Sequence, residues 1–364
     1  MNNAALAGHT SLVLPEGAHA TEPPEARGLP RDGVRLLVAQ RSGMRHARFR
    51  SLPELLRPGD LVVVNTSATL PAAVDGTERS GRVVVHFSSP VRGRTWIVER
   101  RRPDGAGPVR AGTAGEVVHL PGGARVRLLS AHPDRAARSS RLWRARFEGE
   151  VPVEDYLARF GRPITYVYMQ KRWPLAAYQT IFARHPGSAE MPSAARPFSH
   201  PLVTDLVAAG VAIAPLLLHT GVSSLEAGEP PQEERFAVPL ATARLVNETR
   251  RAGGLVIAVG TTVARALETA GRPDGTVAAA RGRTDLVLGP DRRARVIDGL
   301  ITGWHPPQAS HLSLLEAVAG RELVQRAYDE AVAAGYLWHE FGDSCLLLRR
   351  RRGRRRLHAL PRAA

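Results

Sequence analysis

Short apolar runs alternate with segments of helical spacing over much of the chain, which is typical of an α/β sheet with helices on its faces. The run that ends at Val259 is entirely apolar, and Gly260-Thr261-Thr262 then opens a segment with helical spacing. We expect a buried parallel strand, a tight turn and the N-terminus of a helix there. The other strands predicted for this sheet are residues 36–39, 61–64, 211–218, 285–288, 300–302 and 345–348, the last of which closes the sheet.

Segments with helical spacing separate these strands. Residues 201–210 and 241–253 are predicted helices, and residues 312–335 form a longer helical segment that Gly320 interrupts. A short helix is predicted after Ser51, with Ser51 as its N-cap and Glu54 in the capping-box position.

Between residues 74 and 150 the pattern changes to short strand-like runs without a helical segment. Glycine, proline and aspartate separate these runs, which predicts a small antiparallel barrel. The five runs are residues 83–87, 95–102, 116–120, 124–129 and 142–148. We therefore predict a discontinuous α/β domain (29–73 and 151–348) with an inserted antiparallel β-barrel (74–150), a flexible arm (1–28) and an arginine-rich tail (349–364).

Composition limits the class of protein. At 364 residues the chain is longer than a single hydrophobic core usually supports, and its 43% of hydrophobic residues can fill a packed interior. No apolar run approaches the roughly 18 residues of a membrane span, and the N-terminus does not resemble a secretory signal. The single cysteine, Cys345, excludes a disulfide framework and a cysteine-rich metal site. We expect a cytoplasmic monomer with no membrane partner.

The net charge of +16 has two explanations. Only one of the 50 basic residues is a lysine, Lys171, which points to a GC-rich coding sequence. Eight arginines between positions 349 and 362 supply half of the net charge. We predict that this tail is a mobile polyanion-binding extension outside the site. The alternative is a solvated tail enlarged by codon bias.

Polar residues gather where the predicted strands end. The chain has no P-loop, no Gly-x-Gly-x-x-Gly after a strand, no His-Glu-x-x-His and no Gly-x-Ser-x-Gly. In open α/β sheets, ligands bind beyond the carboxyl ends of the strands, so the polar clusters are candidates for a site. Each could instead cap a helix or bind its own turn. The clusters are Asn65–Ser67, Tyr178–Thr180, His219–Gly221, Gly260–Thr262, Thr302–His305 and Gly342-Asp343.

Several motifs, in order along residues 29–348, give the chain a resemblance to a known family. It is similar to the S-adenosylmethionine:tRNA ribosyltransferase-isomerases of queuosine biosynthesis. The family's fold is an α/β domain with an inserted β-barrel, in agreement with the organisation predicted above. The matching motifs are Arg57–Asn65, Tyr178–Phe182, Pro186-Gly187-Ser188, Leu218–Gly221, Ile257–Thr262, Arg265 with Leu267-Glu268, Thr284-Asp285-Leu286, Val296–Thr302, His305, Pro307, and Tyr336 with Gly342-Asp343.

The resemblance implies an unusual reaction without a metal or a redox cofactor. The ribosyl part of S-adenosylmethionine would move to the aminomethyl group of a 7-deazaguanine in tRNA and become an epoxycyclopentane, while adenine and methionine leave. The sulfonium acidifies the neighbouring C5′ hydrogens, so a positioned base can begin the reaction. The partners implied are S-adenosylmethionine, as co-substrate, and tRNA.

Matched positions give the candidate site residues. His305, His219 and Glu234 are the catalytic candidates, with His305 preferred because an imidazole titrates near neutrality. The substrate-binding candidates are Asn65, Tyr178, Gln179, Thr180, Gly260, Thr261, Thr262, Arg265, Asp298, Thr302 and Asp343.

This chain also departs from the family pattern. The family's Asn-Asp/Asn-Thr-Arg-Val is Asn65–Thr69 here, without the arginine, and Pro192–Phe198 lacks a histidine that the family has. The segments His219–Leu225, Glu229–Glu234 and Gly303–Ser310 differ as well. Two alternatives therefore stay open: a paralogue with a small-molecule acceptor such as a deazapurine, or a catalytically inactive RNA- or nucleotide-binding protein.

Overall fold

A nine-stranded sheet with helices on its faces and a closed six-stranded barrel make up the fold. The computed structural model describes residue 10 and residues 12–137, 139–169, 171–223, 232–289, 291–306 and 310–349. The strands are β1 (Arg35–Gln40), β2 (Gly43–Arg48), β3 (Leu61–Asn65), β4 (Ser67–Thr69), β5 (Ala73–Glu78), β6 (Gly81–Arg92), β7 (Thr95–Arg101), β8 (Val117–His119), β9 (Arg125–His132), β10 (Leu142–Glu148), β11 (His185–Ser188), β12 (Ala212–Leu218), β13 (Glu234–Val238), β14 (Val256–Val259), β15 (Ala280–Thr284), β16 (Gly299–Gly303) and β17 (Ser344–Leu348).

Seven α-helices accompany these strands in the residues that the structure describes. They are α1 (Leu52–Leu55), α2 (Val153–Phe160), α3 (His200–Ala208), α4 (Leu240–Arg251), α5 (Thr261–Ala270), α6 (Ser310–Ala319) and α7 (Arg321–Ala333). Gly320 separates α6 from α7, and its φ of 86° lies in the left-handed region that glycine adopts without strain. The predicted interruption of this helical segment is confirmed. In the described part of the chain, no helix is long and apolar enough to cross a membrane.

The large sheet has a parallel centre. Its strand order is β15-β13-β12-β3-β14-β16-β17-β1-β2. The four strands from β12 to β16 run parallel to one another, so their carboxyl ends meet at one edge of the sheet. β13 and β17 run antiparallel to their neighbours β12 and β16, which places the first residues of both at the same edge. The polar residues that begin or end all six strands therefore face one region.

The unit β14–Gly260–α5 matches its prediction. Every residue of β14 is buried, because helices cover both faces of a parallel sheet and favour an apolar, β-branched run. Gly260 has a φ of 88° and turns the chain sharply into α5. A side chain there would also lie 3.3 Å from the Cβ of Ala194. The helix N-terminus is thus fixed directly beyond the sheet.

The barrel closes in the strand order β10-β7-β6-β5-β8-β9, with every pairing antiparallel. Phe87, Trp96 and Phe147 fill its interior, and Tyr156 of α2 packs against Phe147. The fold class, an α/β domain with an inserted antiparallel barrel, is confirmed. The barrel has one strand more than the five runs predicted, because β5 consists largely of the polar sequence Asp-Gly-Thr-Glu and is buried only at its first two residues. The exact domain boundaries stay a prediction.

Four sequence predictions need correction. Residues 285–288 are not a strand, since their backbone is held by a side chain of α5. β17 does not close the sheet but lies inside it, between β16 and β1. The Ser51 side chain makes no capping hydrogen bond, because a 3-10 turn (Phe49–Ser51) leads directly into α1.

The fourth correction concerns the N-terminal arm. Its described part is not loose: the Ala20 amide donates to Trp338 O at 3.0 Å, and Arg27 Nη2 donates to Phe341 O at 2.7 Å. Ala20 is buried by these contacts. Residues 1–9 and 11 of the arm lie outside the described residues. So does the arginine-rich tail apart from Arg349, which donates from its amide to Asp298 O at 3.0 Å.

Candidate functional site

A cavity of about 260 Å³ lies at the edge of the sheet where the parallel strands end. Its wall includes the N-terminus of α5, the segment after β16, and the start of β13. The barrel shapes one side, because Ser88 Oγ of β6 donates to Gln232 Oε1 at 2.9 Å and accepts from the Val222 amide at 3.0 Å. Seven of the predicted site residues line the cavity: Glu234, Gly260, Thr261, Thr262, Arg265, Thr302 and His305.

The first turn of α5 presents its backbone amides to the cavity. These amides have no partner within the helix, and the helix dipole adds positive potential, so the turn suits a negative or hydroxyl-bearing ligand group. The Asn65 side chain holds this turn in place. Its Nδ2 donates to Leu218 O at 2.7 Å and to Thr262 Oγ1 at 3.3 Å. Asn65 thus fixes the helix N-terminus without itself lining the cavity.

A buried ion pair between Glu234 and Arg265 forms the neighbouring wall. Glu234 Oε2 accepts from Arg265 Nη1, and Oε1 accepts from the Gly221 amide at 2.9 Å. Arg265 also donates to the carbonyl oxygens of Leu286, Thr284 and Gln232. Burial raises the pKa of Glu234, and the Arg265 guanidinium opposes that rise. Both carboxylate oxygens are engaged, so this pair suits positioning better than proton transfer.

Two stacked histidines also line the cavity. The ring centroids of His305 and His311 are 4.4 Å apart, and the two ring planes are nearly parallel, with an angle of 2° between them. Burial holds the pKa of His305 well below its usual value, and the pKa of His311 is lowered to about 4 for the same reason. Both imidazoles are therefore uncharged at neutral pH.

The tautomer of His305 depends on its hydrogen bond with the Thr302 hydroxyl. Thr302 Oγ1 donates its single hydrogen to Gly303 O at 3.1 Å and lies 2.9 Å from His305 Nε2. With the hydroxyl hydrogen on Gly303 O, Nε2 carries the ring proton and donates to Thr302, which leaves Nδ1 as the proton acceptor. A neutral imidazole of this kind is equipped to act as a base.

The remaining wall comes from irregular segments that no periodic pattern indicated. Tyr166 and Tyr168 follow the barrel, Glu190 follows β11, and His339 and Glu340 precede β17. His339 has a φ of 70°, a left-handed conformation that non-glycine residues adopt rarely and that clusters at functional sites. Its ring stacks on Tyr168 with centroids 4.5 Å apart.

Glu340 titrates far from its ordinary range. Burial, and then the nearby Glu190 carboxylate, raise the pKa of Glu340 to about 8, while Arg196 opposes the shift. Burial also lowers the pKa of His339 to about 4. At neutral pH Glu340 is therefore protonated and lies beside an uncharged His339.

Glu340→Gln is expected to stabilise the free protein at high pH. An unfolded chain ionises Glu340 near its ordinary pKa of 4.5, whereas the folded protein retains the proton up to about pH 8. Stability is therefore lost as pH rises from about 4.5 to 8, and glutamine avoids that loss. Thermal melts should show a higher midpoint for the variant at pH 9 and no difference at pH 4. Equal midpoints at pH 9 would contradict the raised pKa.

His219 lies behind the cavity wall. Its Nδ1 is 2.8 Å from Ser67 Oγ, and the ring occupies space that the absent side chain of Gly187 leaves open. Burial and the neighbouring Arg235 lower its pKa to about 4. The cavity is lined instead by the next residue, Thr220.

The segment Tyr178–Thr180 also lies outside the cavity lining. Gln179 pairs with the backbone of Thr69: Nε2 donates to its carbonyl at 2.8 Å, and Oε1 accepts from its amide at 3.0 Å. The Tyr178 ring packs on Phe341, and Thr180 Oγ1 accepts from the Phe182 amide at 3.3 Å. These side chains satisfy local backbone and core contacts.

The two predicted aspartates hold backbone at opposite ends of the sheet. Asp298 accepts from the Val256 amide at 3.1 Å, at the edge away from the cavity. Asp343 accepts from the amides of Arg35 and Leu337, both at 2.8 Å. Asp343 thereby fixes the loop that carries His339 and Glu340, although it does not line the cavity itself.

Sequence reasoning missed six lining residues that can do chemistry. His311 could have been found from the sequence, because it lies only six positions after His305. The other residues are scattered over about 175 positions and carry no local signal: Tyr166, Tyr168, Glu190, His339 and Glu340. Within the described residues, no group of three or more His, Cys, Asp or Glu side chains is placed to hold a metal ion.

Comparisons with known proteins give the chain a family. A family profile described as "Queuosine biosynthesis protein" matches residues 10–347. The S-adenosylmethionine:tRNA ribosyltransferase-isomerase of Gloeobacter violaceus is 37% identical over 345 residues, 92% of this chain and 94% of the relative. The protein of the same name from Moorella thermoacetica is also 37% identical, over 92% of this chain and 97% of its own length.

A solved structure agrees with this relationship. The crystal structure of the S-adenosylmethionine tRNA ribosyltransferase from Thermotoga maritima, at 2.00 Å resolution, superposes with a TM-score of 0.51 at 26% identity. It covers 93% of this chain and 99% of that chain. By sequence over nearly its whole length and by fold, the chain belongs to the S-adenosylmethionine:tRNA ribosyltransferase-isomerase family of queuosine biosynthesis.

Proposed function

We propose that the cavity is where this chain moves the ribosyl part of S-adenosylmethionine to a 7-aminomethyl-7-deazaguanine in tRNA. The curated relatives bear the name of this activity. The observation that carries the proposal is that a helix N-terminus and a buried, uncharged histidine pair line one cavity at the carboxyl edge of the sheet. A site of this kind can bind a nucleoside and accept a proton from it.

The N-terminus of α5 receives the donor. Its free amides favour ribose hydroxyls or the carboxylate of S-adenosylmethionine over the sulfonium, because the positive end of the helix dipole repels a cation. Thr261 and Thr262 add hydroxyl groups beside these amides. Asn65, Asp343 and the Glu234–Arg265 pair then act as positioning residues that hold the walls in place.

His305 supplies the base. The C5′–H bond next to the sulfonium breaks, the electron pair stays on carbon, and the proton moves to His305 Nδ1. The low pKa of the buried imidazole keeps Nδ1 unprotonated at neutral pH, as this step requires. The resulting imidazolium is poised to return its proton to a leaving group in a later step.

Wild-type protein is expected to bind S-adenosylmethionine, measured by calorimetry, and to release adenine only with an acceptor that carries the aminomethyl base. Thr262→Val removes one hydroxyl beside the donor and should weaken donor binding by about 2–10-fold. Thr204→Val, on the exposed face of α3, is the matched control and should bind like wild type. No binding by the wild type at millimolar concentration would contradict the donor assignment.

The choice of acceptor separates the three functions considered. Adenine release with tRNA bearing 7-aminomethyl-7-deazaguanine, and none with the free base, supports the proposed activity. Release with the free base alone would indicate a small-molecule acceptor. Donor or RNA binding without adenine release under either condition would indicate an inactive binding protein.

A further inference from the structure

The wall of the cavity formed by Tyr166, Tyr168, Glu190, His339 and Glu340 has no role in the chemistry above. We call it the tyrosine–glutamate wall. It combines two carboxylates with stacked rings, and all five residues are partly buried. Buried carboxylates need hydrogen-bond donors or a counter-charge, so each of the two calls for a partner.

Glu190 has its partners within the protein. Its Oε1 accepts from Tyr166 Oη and from the Ser223 amide, the latter at 3.0 Å, and its Oε2 accepts from Ser223 Oγ. These donors fix the carboxylate at the cavity surface.

Glu340 differs, because its Oε2 atom is enclosed and has no hydrogen-bond partner among the described residues. The Tyr168 hydroxyl is likewise enclosed and has no partner in the described part of the chain. Arg196, the basic group that lowers the pKa of Glu340, is engaged elsewhere. It donates to Glu25 Oε2 and to Ala177 O, both at 2.9 Å. Two enclosed oxygens in one wall of the cavity are thus left without a hydrogen-bond partner among the described residues.

The ring stack makes these acceptors rigid. Tyr168 stacks on His339 at 4.5 Å, on His19 at 5.1 Å and on Tyr166 at 5.8 Å between centroids. Its faces are therefore occupied, and the enclosed hydroxyl oxygen is the part of Tyr168 that lacks a partner among the described residues. The arrangement favours a ligand that donates several hydrogen bonds and carries positive charge over one that stacks on a ring.

We propose that Glu340 and Tyr168 bind a primary ammonium group of a substrate, with Glu190 adding negative potential. An ammonium has three N–H donors and a full charge, which satisfies both unpartnered oxygens at once. Binding would ionise Glu340, whose proton leaves to solvent. The inference rests on the proposed function, which offers two ammonium groups: the amino-acid end of S-adenosylmethionine and the aminomethyl group of the acceptor base.

Glu340→Gln keeps the size of the side chain and removes its charge. Calorimetry compares S-adenosylmethionine with 5′-deoxy-5′-(dimethylsulfonio)adenosine, which retains the nucleoside and the sulfonium but lacks the ammonium. A second arm compares tRNA bearing the aminomethyl base with tRNA bearing guanine at that position. The variant should lose about 10–100-fold in affinity for one ammonium-bearing ligand and bind its ammonium-free counterpart like wild type.

Tyr168→Phe is a second variant that keeps the ring stack and removes only the hydroxyl, with an expected loss of about 2–10-fold for the same ligand. Glu330→Gln is the control, because Glu330 lies on α7 outside the cavity and contacts His46 at 2.9 Å. Loss confined to the first pair of ligands assigns the subsite to the donor, and loss confined to the tRNA pair assigns it to the acceptor.

Two other results would separate a failure of the subsite from a failure of the proposed function. Unchanged affinity of both variants for both ammonium-bearing ligands would overturn the subsite, while donor binding by wild type would leave the proposed function intact. Failure of the wild type to bind any of these ligands would overturn the proposed function itself.

Discussion

Replacing His305 with alanine is expected to slow adenine release from S-adenosylmethionine by about 10²–10⁴, the usual contribution of a positioned general base. The reason is the loss of the Nδ1 lone pair that burial keeps free at neutral pH. Donor affinity should change little, because the α5 N-terminus carries the binding. Single-turnover assays with saturating donor and tRNA bearing the aminomethyl base measure this adenine release.

His200→Ala is the matched control for this experiment, since His200 is exposed on α3. A thermal melt of each variant checks that the fold is retained. The pH profile adds a second readout: wild-type activity should stay level down to about pH 6, because His305 and His311 protonate well below that. A folded His305→Ala protein that releases adenine at the wild-type rate would refute the assignment.

The half of the site built on regular structure could be predicted from the sequence. The run ending at Val259, followed by Gly260 and two threonines, specifies a strand, a turn and a helix N-terminus within a dozen residues. These signals are local, and helix amides must face outward wherever such a unit occurs. His305 could be found in the same way, because it follows an apolar strand of the same sheet.

The tyrosine–glutamate wall could not be predicted, for a physical reason. Its residues lie in irregular segments, so no periodicity marks which side chain faces inward. Packing between the barrel, the N-terminal arm and the loop before β17 brings them together. The Asp343 carboxylate helps to hold that loop, because it accepts two backbone amides.

Some of the strand-end residues that we predicted for the site lie away from the cavity, because their side chains have a different role. Polar side chains at strand ends also satisfy backbone groups that the sheet leaves unpaired. Gln179 does so for Thr69, and Asp298 does so for Val256. Sequence position alone cannot distinguish hydrogen bonding to the backbone from ligand binding, whereas the contacts in the structure can.

Arg265→Met is expected to lower the unfolding midpoint of the α/β domain by roughly 6–20 °C, because removing one partner of a buried ion pair costs about 3–5 kcal/mol. The substitution strands Glu234 in the interior with only the Gly221 amide as a donor, and three backbone carbonyls lose the guanidinium. Arg281→Met, at an exposed position of β15, is the matched control and should melt like wild type.

A double variant and a pH series identify the cause of that loss. Arg265→Met combined with Glu234→Gln should recover part of the lost stability, since no buried charge remains. In the single variant the pKa of Glu234 rises further above its ordinary value. The unfolded chain ionises near pH 4.5 while the folded chain keeps the proton, so the deficit should be largest at neutral pH and shrink below pH 4.5. A single variant that melts like wild type, with weaker donor binding, would show instead that Arg265 serves the ligand and not the fold.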